Sequence, residues 1–186
     1  MSGGELSAEE RRILLRVARG AIEARLTSGR QPPRPAAGPV LERPQGAFVT
    51  LTRRVDGDLR GCIGLLEPQQ PLVDTVARAA VAAATEDERF DPVTRDELGG
   101  IAVEISVLGP LAPVKPEDVE VGRHGLLIRS GVRQGLLLPQ VATEHGWDLV
   151  TFLGRTCVKA GLPEDAWRKP GVEIRAFTAE VFGEEE

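Results

Sequence analysis

Residues 47–64 read AFVTLTRRVDGDLRGCIG, and this stretch decides the fold. Its first half is rich in β-branched residues, which favours a strand over 47–55. Asp56 and Gly57 follow as a strong turn pair, because glycine adopts a positive φ without steric cost. Residues 58–63 then return as a second strand. The stretch therefore predicts a β-hairpin, which is the best-supported β element of the chain.

The segment before the hairpin predicts a helix and an extended connector. Ser7 and Glu10 have the spacing of a capping box, and apolar residues then recur at helical intervals. We expect a helix over 8–28 that ends at Gly29. The proline-rich stretch 30–46 predicts an extended surface connector, because proline has a fixed φ and no amide hydrogen.

The segment after the hairpin predicts further helices and strands. An alanine-rich helix is expected over 72–85, with alanines that permit close approach to a sheet. Alternating apolar residues over 101–108 predict a strand with one buried face. The capping-box spacing of Thr94 and Glu97 predicts a short helix. The other elements are a second hairpin over 125–138, a helix over 139–145, a helix that is capped by Asp148 and runs to 160, and one closing strand over 172–182. Strands that arrive as hairpins favour an α+β fold with antiparallel sheets and flanking helices.

Composition limits the possible functions. The chain has 186 residues, 41% hydrophobic and 27% charged, which is typical of one domain or two joined subdomains. The sequence has no long apolar run that would predict a membrane span, and the first residues lack the pattern of a secretory signal. Two distant cysteines predict no disulfide framework, so a cytoplasmic location is expected. The net charge of -5 disfavours nonspecific nucleic-acid binding.

Cys62, between Gly61 and Gly64, is the strongest candidate for chemistry. Glycine destabilises a strand. This cost is tolerable where the backbone bends sharply or where another group must approach it closely. On a regular strand Arg60, Cys62 and Gly64 point the same way. We therefore expect an exposed sulfur beside a positive charge, which would favour the thiolate. The alternative is a small buried cysteine in a tight strand.

A cysteine nucleophile usually needs a base, and the chain has two histidines. His124 lies beside a predicted turn and is the candidate catalytic partner of Cys62; the alternative is a plain turn residue. His145 precedes Gly146, where it is expected to cap a helix. The two histidines, Cys62 and Cys157 lack the short spacing of a chelating pair, so no metal site is predicted. Cys157 is expected in the core.

Other polar residues have two possible roles each. Glu104 and Ser106 share one face of the strand over 101–108, and are either solvent-exposed or part of a cleft. Arg89 either pairs with its acidic neighbours or converges with Arg60 to bind an anion. The sequence has no phosphate-binding loop, dinucleotide fingerprint or nucleophile elbow, and it identifies no cofactor.

The chain resembles the AMMECR domain family, whose bacterial and archaeal members are called AmmeMemoRadiSam system protein A. The motifs that carry the resemblance run in family order from about residue 7 to residue 182. They are Leu59-Arg60-Gly61-Cys62-Ile63-Gly64, Arg89-Phe90-Asp91-Pro92-Val93, Glu104-Ile105-Ser106-Val107-Leu108, His124-Gly125-Leu126, Leu137-Leu138-Pro139-Gln140-Val141-Ala142, Gly146-Trp147 and Cys157-Val158-Lys159-Ala160-Gly161-Leu162. One departure is Glu88, where the family usually has proline; this change is expected to loosen the loop.

The resemblance implies an α+β fold of two tightly packed subdomains, about 1–110 plus 165–186 and 111–164, with a cleft between them. It also implies association with a radical SAM protein and a Memo-like protein. By resemblance to the family motifs, a binding site is expected at Arg60, Gly61, Cys62, Ile63 and Gly64. The same resemblance implies that Glu104, His124 and Gln140 also belong to this site.

These features leave three hypotheses about function, because the resemblance implies no particular reaction. In the first, the chain is an enzyme component in which Cys62 acts on, or forms an adduct with, a small molecule or peptide while Arg60 holds an anionic group. In the second, it is an adaptor that binds a peptide or partner without catalysis. Nucleic-acid binding is the third and least supported.

Overall fold

The computed structural model describes residues 5–27, 29, 34–66 and 69–184. Residues 28 and 30–33, where the predicted first helix ends and the connector begins, lie outside the described residues. The chain divides into two compact units: Met1–Leu108 with Glu180–Glu186, and Gly109–Ala179. Within the described ranges, no helix is long and apolar enough to cross a membrane.

The described residues form four α-helices and eight β-strands. The helices are α1 (Ala8–Thr27), α2 (Leu72–Thr85), α3 (Pro139–Glu144) and α4 (Leu149–Lys159). The strands are β1 (Ala47–Arg53), β2 (Leu59–Leu65), β3 (Ile101–Leu108), β4 (Ala112–Pro113), β5 (Gly125–Ser130), β6 (Arg133–Leu137), β7 (Glu173–Phe177) and β8 (Ala179–Gly183). Short 3-10 helices form at Arg95–Gly100, Pro116–Asp118 and Ala166–Arg168.

The first unit is built on a four-stranded sheet with the order β2-β1-β3-β8. The predicted hairpin is confirmed: β1 and β2 pair antiparallel, and Gly57 adopts a φ of 75° in the connecting turn. β1 also pairs antiparallel with β3, so it is the central partner of both. The predicted α+β class with antiparallel sheets and flanking helices is confirmed.

Helices α1 and α2 cover one face of the first sheet. Leu14, Ala18 and Ile22 of α1 pack with α2 and with the inward residues of β1 and β3 in one hydrophobic core. Ser7 and Glu10 form the predicted capping box, in which the Ser7 amide donates to Glu10 Oε2 at 2.8 Å. The helical period of the sequence therefore predicted this core correctly.

Gly61 lets α2 approach β2 at backbone distance. A Cβ on residue 61 would lie 2.1 Å from the carbonyl oxygen of Ala83, far inside van der Waals contact. Alanines occupy most of this part of α2, and Ala79, Ala80 and Ala83 are buried. The prediction of close approach between an alanine-rich helix and a sheet is confirmed.

The second unit has its own sheet and core. Its strand order is β4-β7-β5-β6, and the predicted second hairpin pairs β5 with β6 around Gly131. The Asp148 side chain accepts a hydrogen bond from the Thr151 amide and caps α4, as predicted. Phe152, Leu153 and Cys157 of α4 are fully buried in this core, so the core position predicted for Cys157 is confirmed.

The single closing strand predicted over 172–182 is wrong. Two strands form instead, β7 in the second sheet and β8 in the first, with Thr178 between them. The Thr178 carbonyl accepts a hydrogen bond from the Gly109 amide at 2.7 Å. Residues on both sides of Thr178 favour strands, so the composition carries no signal of a change of sheet.

Glu184 fixes the chain that follows β8 onto the first unit. Its carboxylate accepts hydrogen bonds from Arg19 of α1, from Arg54 at 2.9 Å and from the Val103 amide at 3.1 Å. The side chains of Arg19 and Glu184 are each 19% exposed. The carboxylate therefore joins a helix, a strand and a turn that are far apart in sequence.

We expect alanine at position 61 and alanine at position 64 to destabilise the fold for different reasons. Each overpacks the structure and should cost about 1–3 kcal/mol in the free energy of unfolding. Gly61→Ala clashes with backbone, whereas a Cβ on residue 64 would lie 2.3 Å from the Phe48 ring. Adding Phe48→Leu should therefore recover stability in Gly64→Ala but not in Gly61→Ala. Urea unfolding of the single and double variants measures this, and equal recovery in both would contradict the packing described.

Candidate functional site

Cys62 points away from the helices. Because Gly61 faces Ala83 of α2, the next side chain along β2 lies on the opposite face of the sheet. We call this the thiol face; it carries Phe48, Thr50, Cys62, Gly64, Glu104 and Ser106. Cys62 is half-buried there, whereas Cys157 is fully buried. Position 62 is therefore neither the exposed cysteine nor the fully buried cysteine that were its two predicted alternatives.

Cys62 lies in a polar row that crosses three strands. Thr50 of β1 is directly opposite Cys62 on one side and opposite Glu104 of β3 on the other. The Thr50 hydroxyl donates to Cys62 Sγ at 3.3 Å. Glu104 is half-buried, while Ser106, one row along, is 1% exposed. Solvent exposure of both residues, one of the two predicted alternatives, is therefore wrong for Ser106.

The two glycines beside Cys62 do not open the strand to a ligand. The space next to Gly61 is filled by the Ala83 carbonyl, and the space next to Gly64 by the Phe48 ring. Ile63 packs against the hydrophobic core on the helix side. Gly61 and Ile63 therefore offer no surface on the thiol face, and the missing side chains serve internal packing.

Arg60 is turned away from the predicted position by a β-bulge. Leu51 pairs with Gly61 but Thr52 pairs with Leu59, so Arg60 is the extra residue of β2. A bulge breaks the two-residue alternation and redirects a side chain. The expectation that Arg60 and Cys62 simply share a face rested on an unbroken strand.

The Arg60 guanidinium is held by Glu97 and by the loop before it. Nε donates to Glu97 Oε1 at 2.8 Å, Nη2 to Oε2 at 3.2 Å and Nη1 to the Asp91 carbonyl at 2.8 Å. The Arg60 side chain is 13% exposed. The Arg60 guanidinium, followed by the Thr94 amide and hydroxyl, lowers the pKa of Glu97 to about 2. Anion binding by Arg60 would have to displace this pair.

Asp87 anchors the edge of β2 at Cys62. Its Oδ2 accepts a hydrogen bond from the Cys62 amide at 2.8 Å, and its two oxygens hold the Arg89 guanidinium at 2.7 and 2.9 Å. The Asp87 side chain is 6% exposed, whereas Arg89 is 53% exposed. Arg89, followed by the Cys62 amide, holds the pKa of Asp87 well below its usual range.

Of the two roles predicted for Arg89, pairing with an acidic neighbour is the one observed. The loop expected to be loosened at Glu88 is thus tied to β2.

The predicted residues of the second unit have local roles. His124 Nδ1 accepts a hydrogen bond from the Glu120 amide at 3.0 Å, so in the neutral ring the proton is on Nε2. His145 is the C-cap of α3, as predicted, with Nδ1 3.0 Å from the Val141 carbonyl oxygen. Gln140 is half-buried in α3. Base catalysis by His124, a ligand contact at Gln140 and a cleft between the units stay predictions.

Several residues that shape the site were missed by sequence reasoning. Thr50, Phe48 and Glu97 each contact a predicted residue. Thr50 and Phe48 belong to no recognisable motif, whereas Glu97 has the capping-box spacing with Thr94, which indicates the start of a helix and not a contact with Arg60. One sequence signal could have identified the face on which Thr50 lies. It stands between the apolar residues Val49 and Leu51, which are buried, so on an alternating strand its side chain points to the opposite face. Among the residues that the structure describes, no group of three or more metal-binding side chains comes together.

We expect Glu97 to stabilise the protein only while it is ionised. Its folded pKa of about 2 lies below the ordinary 4.5, so its contribution is complete above the ordinary value and is lost as the pH falls towards 2. Glu97→Gln should lower stability by about 0.5–1 kcal/mol near neutral pH, because the pair is partly exposed. The difference from wild type should shrink in acid. Thermal unfolding across this pH range measures it, with Glu88→Gln as the exposed control; a constant difference would refute the assignment.

Removal of Asp87 should be more damaging than removal of Arg89. Asp87→Ala leaves the Cys62 amide without its acceptor and should cost about 1–3 kcal/mol in the free energy of unfolding. Asp87→Asn keeps one acceptor and should cost less. Arg89→Ala removes a half-exposed partner and should cost less than about 1 kcal/mol. Urea unfolding at neutral pH gives this order, and an equal loss for Arg89→Ala and Asp87→Ala would show that the anchor is the ion pair.

Comparison with known proteins identifies the family. The sequence model of the AMMECR1 family matches residues 15–182. Protein MK0488 of Methanopyrus kandleri is 46% identical over 193 residues, covering 99% of this chain and 93% of the relative. Protein MJ0810 of Methanocaldococcus jannaschii is 43% identical over 188 residues, covering 97% and 93%. The crystal structure of the uncharacterized protein PH0010 from Pyrococcus horikoshii matches with a TM-score of 0.91 at 42% identity, covering 97% of this chain and 94% of that one. The chain belongs to the AMMECR1 family.

Proposed function

We propose that the protein is a substrate-handling component that acts through the Cys62 thiol. In this proposal the thiol contacts a small molecule or peptide, or adds to it, on the thiol face. If an adduct forms, the sulfur adds to an electrophilic double bond of the ligand: a carbon–sulfur bond forms, the π bond breaks, and its electron pair takes up the proton that the thiol has lost through solvent or a base. The radical SAM and Memo-like proteins implied by the family resemblance would supply or receive the bound molecule.

The proposal rests on the position and contacts of Cys62, which lies on an otherwise well-packed strand. Cys62 is half-buried as a residue and its side chain lies on the face opposite the helices, where its sulfur accepts a hydrogen bond from Thr50 at 3.3 Å. A hydroxyl that donates to sulfur stabilises the thiolate more than the thiol. The backbone of Cys62 is also fixed, because its amide donates to buried Asp87. A sulfur that is fixed in position, on a residue that is not fully buried, is an arrangement that suits selective thiol chemistry.

The arginines have a supporting role in the proposal. Arg60 and Arg89 are each paired with a carboxylate at 2.8 and 2.7 Å, so their positive charge is largely compensated within the protein. They fix the loop that borders β2 rather than provide a free anion-binding pair. Glu104, opposite Thr50, is the nearest acidic residue along the same row of the sheet and is the candidate for contact with a polar group of the ligand.

An adaptor without catalysis is the second candidate function. It is favoured by the same compensated charges, because a binding surface needs no unpaired cation and no titrating thiol. In that case Cys62→Ala should still bind the radical SAM or Memo-like protein of the same genome. Under the thiol proposal the same variant retains the fold but fails to transfer or hold the small molecule or peptide.

We expect Cys62 to react with iodoacetamide in the folded protein while Cys157 does not. Burial raises the pKa of the Cys157 thiol, so this residue is a control within the same molecule. Thr50→Val should slow alkylation of Cys62 about fivefold near neutral pH, the effect of one hydrogen bond, and Thr50→Ser should restore the rate. Peptide mass spectrometry at timed intervals measures both sites.

Two outcomes of the alkylation experiment would overturn the thiol proposal. The first is that Cys62 reacts no faster than Cys157 until denaturant is added. The second is that Thr50→Val and Thr50→Ser react like wild type, which would mean that the hydroxyl does not act on the sulfur. Protein isolated from its own cells provides the positive counterpart, because an added mass on the Cys62 peptide identifies the bound molecule.

A further inference from the structure

A cavity of about 240 Å³ lies between α1 and α2, where the connector residue Pro35 also borders it. These helices cover the face of the first sheet opposite the thiol face, so the cavity is separate from the site around Cys62. It exceeds the apolar cavities of about 150 Å³ that bind benzene. The space is therefore sufficient for a small organic molecule.

Small residues of both helices are part of the cavity wall. Gly20 and Ala21 of α1 and Ala77 of α2 line it, and none of them has a side chain beyond Cβ. Larger apolar residues, Ile13 and Val17 from α1 and Val73 from α2, complete the wall. Ile13 and Val17 are only partly buried although they pack against the core. An apolar ligand between the helices would remove these side chains from water.

Three charged residues line the cavity, and one of them, Arg16, is available to an anion. Asp74 of α2 is held by Arg34 Nε at 3.0 Å, and Arg34 Nη2 also contacts Glu42 at 2.8 Å. The negative charge of Asp74 is therefore compensated where it lies. Arg16 of α1 has a weaker partner, since its Nη2 is 3.2 Å from Glu9 Oε1 and the two side chains are 66% and 62% exposed. Exposed pairs of this kind contribute little and are readily exchanged for a ligand carboxylate.

We propose that this cavity binds a small amphiphilic carboxylate. The apolar body of the ligand lies between α1 and α2 against Ile13, Val17 and Val73, and its carboxylate takes the place of Glu9 on Arg16. Ion pairing to a guanidinium explains the preference for an anion, and the small residues Gly20 and Ala77 explain the room for the body. A neutral analogue gains the apolar contacts alone, and a cationic analogue is repelled by Arg16.

Titration of the folded full-length protein with octanoate tests the proposal. Methyl resonances of Ile13, Val17 and Val73 in carbon–proton correlation spectra should shift and saturate, and octanol should bind more weakly. Arg16→Gln should weaken octanoate binding about tenfold, the effect of losing one charge-assisted hydrogen bond. The matched control is Arg12→Gln, because Arg12 lies on the same helix, 69% exposed and 3.7 Å from Glu9, but does not line the cavity.

A second variant tests the space itself. Ala77→Leu extends a side chain into the cavity and should abolish octanoate binding, whereas Cys62→Ser should bind octanoate like wild type. Three results would overturn the proposal: no saturable methyl shift in the wild type, an equal loss in Arg16→Gln and Arg12→Gln, or undiminished binding by folded Ala77→Leu. Since Arg16 is exposed, its variant decides the matter even if Ala77→Leu fails to fold. None of these results depends on the reactivity of Cys62.

Discussion

The carbonyl of Ala83 lies where the first side-chain atom of residue 61 would be, and the arrangement of the first unit depends on that contact. It sets how closely α2 can approach β2, and it requires residue 61 to lie on the face of the strand that is turned towards the helices. Because side chains alternate along a strand, it also directs the Cys62 thiol to the other face. The glycine that sequence analysis linked with ligand access is thus required by packing, and the position of the thiol follows from that packing.

Polar contacts then fix the strand that carries the thiol. Asp87 holds the Cys62 amide and Arg89, while Glu97 holds Arg60 at the bulge. Both carboxylates accept backbone hydrogen bonds as well as guanidinium groups, so each joins a loop to another part of the unit. The edge of a sheet normally offers unpaired backbone groups to other chains. At Cys62 that edge is occupied by the protein's own side chain.

The sequence predicted the elements of the fold better than the details of the site. Periodicity and turn residues identified α1, α2, both hairpins and the capping box at Ser7, because these depend on neighbours in the chain. The bulge at Arg60 could not be predicted, because no residue type at this position indicates one. The partner of Arg60 could not be predicted either, because Glu97 lies far away in sequence. The change of sheet at Thr178 depends on pairing with distant strands. Thr50 was missed because a threonine on a strand has many ordinary roles.

The strand order of the first sheet has a consequence for synthesis on the ribosome. β8 borders β3 in space, but the whole of the second unit lies between them in the chain. When β3 emerges, its neighbour on that side has not yet been made, and domains tend to fold as units while the chain grows. The Gly109–Ala179 unit is therefore completed while the first sheet still has an open edge at β3. Residues 179–184 then close that edge and bring Glu184 onto Arg19 and Arg54, so a segment made after the second unit completes a sheet that was begun before it.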